Sequence, residues 1–180
     1  MNWIVFAIAA YLAYALQQGL GHFWRIGDHE PLLPLILLVF IALQGSASTV
    51  AWAAILLGLL VDIETQGVTD LVGPWALGFL AAGYTLLQLR NLLFKDSVFT
   101  IAIMSLVSGV FAVLVPTILY AMRGIGFLTG EGIADFSAAQ QLFDGFLMLV
   151  YTTALSIPVG WLLLKSKEAW GFGPRARGMR

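Results

Sequence analysis

Long apolar runs, broken only by short polar connections, dominate this chain and limit what it can become. Of its 180 residues, 60% are hydrophobic and only 11% are charged. An ordinary soluble domain has about 25% charged residues and under about half apolar ones. One soluble core could not hide this much apolar surface, so the chain reads as an integral membrane protein. The runs are apolar on all sides. A transmembrane strand would alternate apolar and polar positions, which disfavours a β-barrel, and the class expected is all-α. Each helical span needs about 20 residues, which leaves room for roughly five to seven.

Reading along the chain gives six helices: about 3–18, 32–43, 49–61, 75–89, 98–120 and 142–164. The second and third divide a stretch that is too long for one comfortable span and too short for two. The small polar run Gln44, Gly45, Ser46, Ala47, Ser48 and Thr49 is read as a tight bend between them, with one long tilted helix as the alternative. Irregular backbone at that depth is tolerated only against protein or water. Gly73 and Pro74 make a good entry to the fourth helix, because proline fits a first turn. The connection 121–138 is rich in glycine.

The architecture expected is therefore a six-span bundle, with five spans as the alternative. Residues 1–164 form one helical domain, and 165–180 a basic cytoplasmic tail. Arg90, Lys95, Arg175, Arg177 and Arg180 fall on one side, which the positive-inside bias makes cytoplasmic. Charge does not settle the side of the N-terminus. The acidic stretch 62–70 is expected to be an outward-facing loop. Trp170 and Phe172 lie beside the tail arginines, where anionic lipid headgroups are one possible contact and a merely topogenic tail is the other.

Several chemistries are set aside by residue type. There is no cysteine, hence no disulfide, thiolate site or cysteine nucleophile. The two histidines, His22 and His29, have no companion ligands for a metal. Span interiors carry almost no ionisable groups, whereas intramembrane enzymes need polar clusters there. The expectation is a non-enzyme with no cofactor, no metal and no nucleic-acid partner.

One carboxylate stands out. Asp62 ends the apolar run that begins at Ala53, one turn after Gly58. Ionisable groups near the membrane core are functional candidates by default. Read as closing its helix, Asp62 would oppose the macrodipole there and would need a partner if buried. Small residues recur at helical spacing: Ala51, Ala54, Gly58 and Asp62; Ser105, Ser108, Gly109, Ala112 and Pro116; Thr152, Ser156 and Gly160. Such faces let helices approach closely in lipid, and serve either intrachain packing or the docking of a partner helix. A pocket rimmed by Asp62, Gln66, Trp75 and the 121–138 connection is the other reading.

The string Gly58, Leu59, Leu60, Val61, Asp62, Ile63, followed by Gly67, Gly73, Ala76, Leu77, Tyr84 and Arg90, resembles the rod-shape-determining MreD family. That family closes one helix with a Gly-Leu-Leu-x-Asp turn, has a glycine-bearing loop next, then a helix starting near Gly-x-x-Ala. The likeness is strongest over 47–94. The 62–70 stretch is longer and more acidic than the family pattern, and the 121–138 connection is long.

The resemblance implies a six-helix fold like the substrate-binding S-components of energy-coupling-factor transporters. It implies a non-enzymatic scaffold in the bacterial cytoplasmic membrane that binds MreC. Through MreC it would be linked to MreB, penicillin-binding protein 2 and RodA in peptidoglycan synthesis and cell-shape control, with membrane lipids and a homodimer as further contacts. Its partner-facing or pocket residues would be Ala54, Gly58, Asp62, Glu64, Gln66, Gly73, Trp75 and Tyr84. The same kinship suggests the alternative of a membrane binder or transporter subunit for a vitamin or lipid.

Overall fold

Apolar side chains set at helical spacing give helices throughout the computed structural model, which describes residues 1–24, 30–69, 72–92, 97–124 and 137–172. They are α1 (Trp3–Trp24), α2 (Leu33–Gln44), α3 (Ala47–Thr69), α4 (Pro74–Leu89), α5 (Val98–Gly124) and α6 (Ala138–Lys165), with a short 3-10 turn at Arg90–Leu92. No strand occurs among the described residues.

Local chemistry sets the boundaries. Pro34 falls in the first turn of α2, where its missing N–H does no harm. The helix stops at Gly45, whose N–H donates to Ile41 O at 2.6 Å. Ser46 then starts α3: its Oγ accepts the Thr49 N–H at 3.3 Å, which is an N-cap. The bend expected at 44–49 is therefore present, and the single long helix is not. Ser137 caps α6 in the same way, accepting the Gln140 N–H at 3.4 Å.

Three helices are long and apolar enough to cross a membrane, over Ala47–Glu64, Val98–Met122 and Ala138–Lys165. Shorter apolar helical stretches are Trp3–Gly19 and Leu33–Gln44. α2 has 12 residues, so it is about 18 Å long at 1.5 Å per residue. It falls short of a hydrocarbon core of about 30 Å.

This short helix is the centre of the molecule. Every residue from Pro34 to Leu43 is buried, and α1, α3, α4, α5 and α6 all pack on it. Its start lies halfway along α6, where the Leu32 N–H donates to Thr152 Oγ1 at 2.9 Å. Its end lies beside Arg90, whose Nη1 donates to Gly45 O at 2.6 Å. α2 therefore occupies one half of the bundle, walled in by longer neighbours.

The start of the chain meets the segment that follows α6. The Asn2 N–H donates to Trp170 O at 3.0 Å, so the start of α1 and the end of α6 share one end of the bundle. The tail differs from expectation. Trp170 is 2% exposed, with its ring centroid 5.3 Å from that of Phe40. Phe172 stacks on Trp170 at 6.5 Å. The packed contacts thus run on to Phe172. An apolar aromatic has more to gain against Phe40 than beside charged headgroups.

Candidate functional site

The site is built where α3 meets the start of α4, and glycine makes it possible. Gly58 faces α4 so closely that a Cβ there would lie 2.8 Å from both Ala76 N and Trp75 O. Only a residue without a side chain fits. One turn later on the same face comes Asp62, because residues four apart on a helix are neighbours. The close approach set by Gly58 brings its carboxylate to the first turn of α4.

That turn is prepared to receive it. Gly73 takes φ 121°, in the left-handed region that favours glycine. Pro74 has no N–H, so the first available donors are Trp75 and Ala76. Trp75 N–H donates to Asp62 Oδ1 and Ala76 N–H to Oδ2, each at 3.0 Å. Asp62 is 0% exposed. The burial of a charge is offset here by two charge-assisted hydrogen bonds and by the positive end of the α4 dipole.

This corrects the expected role of Asp62. It does not close its helix: α3 continues through Thr69, so the first part of the expected 62–70 loop is helical. The carboxylate does not oppose the end of α3; it complements the beginning of α4. Asp62 itself is wholly buried; the rest of the expected pocket rim, the Gln66 side chain and residues 125–136, lies outside the described residues.

The other predicted residues divide into groups. Gly73 and Trp75 join Gly58 and Asp62 at the α3–α4 junction. Trp75 is half-buried, and its indole Nε1 is buried without a partner among the described residues. Ala54 and Tyr84 meet elsewhere, in a groove of about 140 Å³ that also holds Val50, Leu80 and Gly83. Tyr84 is exposed and Ala54 buried. Glu64 turns to α1, where its Oε2 accepts from Gln17 Nε2 at 3.2 Å. Gln66 is in the last turns of α3, and its side chain lies outside the described residues. Lys95, Arg175, Arg177 and Arg180 also lie outside them.

Arg90 is expected from the sequence to be a basic contact on the cytoplasmic side. In the structure its guanidinium turns inward: Nη1 donates to Gly45 O at 2.6 Å and approaches Ala42 O at 3.4 Å. It closes the carbonyl end of α2, where a cation is favoured. The stretch from Asp62 to Arg90 is thus fastened at both ends. Asp62 holds the N-terminus of α4, and Arg90, just beyond its C-terminus, holds the end of α2.

Two contributors were not singled out as site residues from sequence. Thr152 Oγ1 donates to Met148 O at 2.7 Å while accepting from Leu32 N–H. Gln17 pairs with Glu64. The only signal available for Gln17 was a carboxamide at the end of an apolar run. Thr152 had been read as one member of a small-residue face, and its use as a cap depends on where α2 begins.

What this arrangement does chemically is hold helices together. Both oxygens of Asp62 and Arg90 Nη1 meet helix termini, as does the Thr152 hydroxyl as an acceptor. The fold and site define an all-helical membrane protein with an interior fastened by buried polar caps. No family model, curated protein or solved structure matches the chain.

Proposed function

We propose that this chain is a non-enzymatic scaffold of the bacterial cell-elongation machinery, an MreD-like protein of the cytoplasmic membrane. Its six helices form a bundle that resides in the bilayer, with the half-length α2 enclosed by the others. Both termini and Arg90 face the cytoplasm. In this reading it docks MreC, and is linked through it to MreB, penicillin-binding protein 2 and RodA.

The observation that carries this reading is the use made of the Gly58–Asp62 turn. The segment that resembles the family has a definite job: it clamps α4 onto α3 through Trp75 and Ala76. Asp62 and Arg90 of that segment are absorbed by helix ends, and apolar side chains face outward. Trp52, Leu77, Tyr84 and Phe99 are all exposed, as suits surfaces that meet lipid or partner helices. The cytoplasmic assignment draws support from Lys165, whose Nζ lies 5.1 Å from the Trp161 ring centroid. Aromatic and basic residues together suit a membrane interface.

Affinity purification of the tagged full chain from membranes in mild detergent tests the proposal. The expected result is recovery of a single-span, MreC-like protein in stoichiometric amount. Recovery of the chain without any such partner would overturn it.

A second reading, a lipid-binding membrane component, draws on one observation. An apolar groove of about 400 Å³ lies between α1 and α3, within the size range of small-molecule sites. Native mass spectrometry showing a retained lipid in the absence of a protein partner would favour it.

A further inference from the structure

α1 is joined to the rest of the molecule differently from the other helices. It buries a narrow stripe, Phe6, Ala10 and Gln17, while Ile4 and Tyr11 are 72% and 70% exposed. It rests chiefly on α2. On one flank a groove of about 400 Å³ separates it from α3, between Ala10 and Tyr14 on one side and Leu56 and Leu60 on the other. On the opposite flank a groove of about 220 Å³ opens towards α6, between Leu16 and Leu162, with Leu37 of α2 at its base.

Polar contacts tie it near its two ends. The Asn2 N–H donates to Trp170 O at 3.0 Å. Gln17 Nε2 donates to Glu64 Oε2 at 3.2 Å and lies 3.5 Å from Oε1, and the neighbouring Gln18 side chain also hydrogen-bonds Glu64. Gln17 is only 8% exposed, and its Oε1 is buried without a partner among the described residues. A buried carboxamide in an apolar stripe is a poor choice for adhesion alone, because its unmet oxygen opposes burial. It is a good choice for a contact that must be specific and reversible. Lipid supplies no hydrophobic drive between helices, so close packing and polar contacts decide association. With open grooves on both flanks, α1 has less close packing to rely on.

We infer that α1 is a releasable clasp over α2, and that the Gln17–Glu64 hydrogen bond is its latch. With the latch closed, α1 covers one flank of α2. With it open, α1 swings out within the membrane plane and uncovers the side of α2 that carries Leu33 and Leu37. The inference rests on the α1 contacts alone and stands apart from the scaffold proposal.

Paired nitroxide labels in the full chain, reconstituted in lipid vesicles, test it. The chain has no cysteine, so Y11C with W52C reports the α1–α3 distance without background labelling. F111C with F146C, on α5 and α6, serves as the control. The expected result is a narrow α1–α3 distance in the parent and in E64Q, which keeps an acceptor for Gln17. E64L, which removes the acceptor from both glutamines, is expected to add a longer component that becomes the major one, and Q17L, which leaves Gln18 in place, a smaller one, with the control pair unmoved. Unchanged α1–α3 distances in Q17L and E64L would overturn the latch. Broadening of the control pair as well would also overturn it, since the contact would then support the whole fold. Release in E64Q equal to that in E64L would overturn the assignment to this hydrogen bond.

Discussion

Asp62 lies directly under the backbone of Ala76, its Oδ2 accepting that N–H at 3.0 Å while Oδ1 takes the neighbouring Trp75 N–H. The pairing fixes how substitutions should rank. Asparagine keeps one acceptor but turns an NH₂ group towards the second N–H. Alanine leaves both donors unmet. Each unsatisfied buried donor costs about 1–3 kcal/mol. Thermal melting in detergent is therefore expected to fall in the order parent, D62N, D62A. Equal loss in both variants would point to a charge-dependent contact with a partner instead of a cap.

Gly58 should not tolerate a side chain. The Cβ of G58A meets backbone atoms of Trp75 and Ala76, which cannot turn aside as a side chain can. Overpacking of this kind costs about 1–3 kcal/mol, and parting the helices also weakens the Asp62 bonds. Gly19 is the counterpart, since a Cβ there meets nothing within 4 Å. G19A is expected to leave the melting temperature unchanged or raise it slightly, helix interiors favouring alanine by up to about 1 kcal/mol. Melting both variants side by side checks the contrast.

Much of this framework was legible in the sequence, and the misses have definite causes. The start of α4 was readable because Gly73 and Pro74 are local signals. The bend before α3 was readable because Gly45 and Ser46 interrupt an apolar run. The extension of α3 to Thr69 was not, because a polar stretch after an apolar one looks like a loop whether or not its backbone stays helical. The role of Asp62 was half visible: its unusual position was plain, but its partners arrive from α4 through the approach made at Gly58. Arg90 looked like one more positive charge, because the carbonyls it meets belong to a helix far back in the chain. Trp170 looked like part of a tail because its partner, Phe40, is equally remote.

Arg90 offers a charge test with geometry behind it. Its Nη1 serves the carbonyls of Gly45 and Ala42. R90K keeps the charge but replaces the planar fork with a compact ammonium. R90A removes both. Hydrogen bonds to charged groups contribute about 1.5–3 kcal/mol, so R90A is expected to melt clearly below the parent and R90K in between. If Arg90 served only as a surface charge, R90K would match the parent.

Thr152 separates a structural hydroxyl from a merely small residue. T152S keeps an oxygen that can accept the Leu32 N–H, whereas T152V keeps the shape and loses the acceptor. Stranding that buried donor costs about 1–3 kcal/mol. The expected order in detergent melts is parent, then T152S, then T152V. Hydrogen exchange at the Leu32 amide should quicken only in T152V. Equal behaviour of serine and valine would mean that size alone matters at this position.

The tail gives the last test, because the structure divides it where composition does not. Trp170 is buried against Phe40, its indole Nε1 donates to Ser166 Oγ at 3.1 Å, and its carbonyl holds the Asn2 N–H. Truncation after Phe172 removes the arginines and keeps these contacts. Truncation after Lys165 removes them all and uncovers the Phe40 side of α2. Large aromatic deletions from a core cost about 3–5 kcal/mol. The chain ending at 172 is therefore expected to be as thermostable in detergent as the full chain, and W170A to resemble the chain ending at 165. If both truncations melted with the full chain, the Trp170 contacts would be shown to add nothing. If the shorter loss alone lowered stability to the level of W170A, the basic segment would have to bear on the bundle itself.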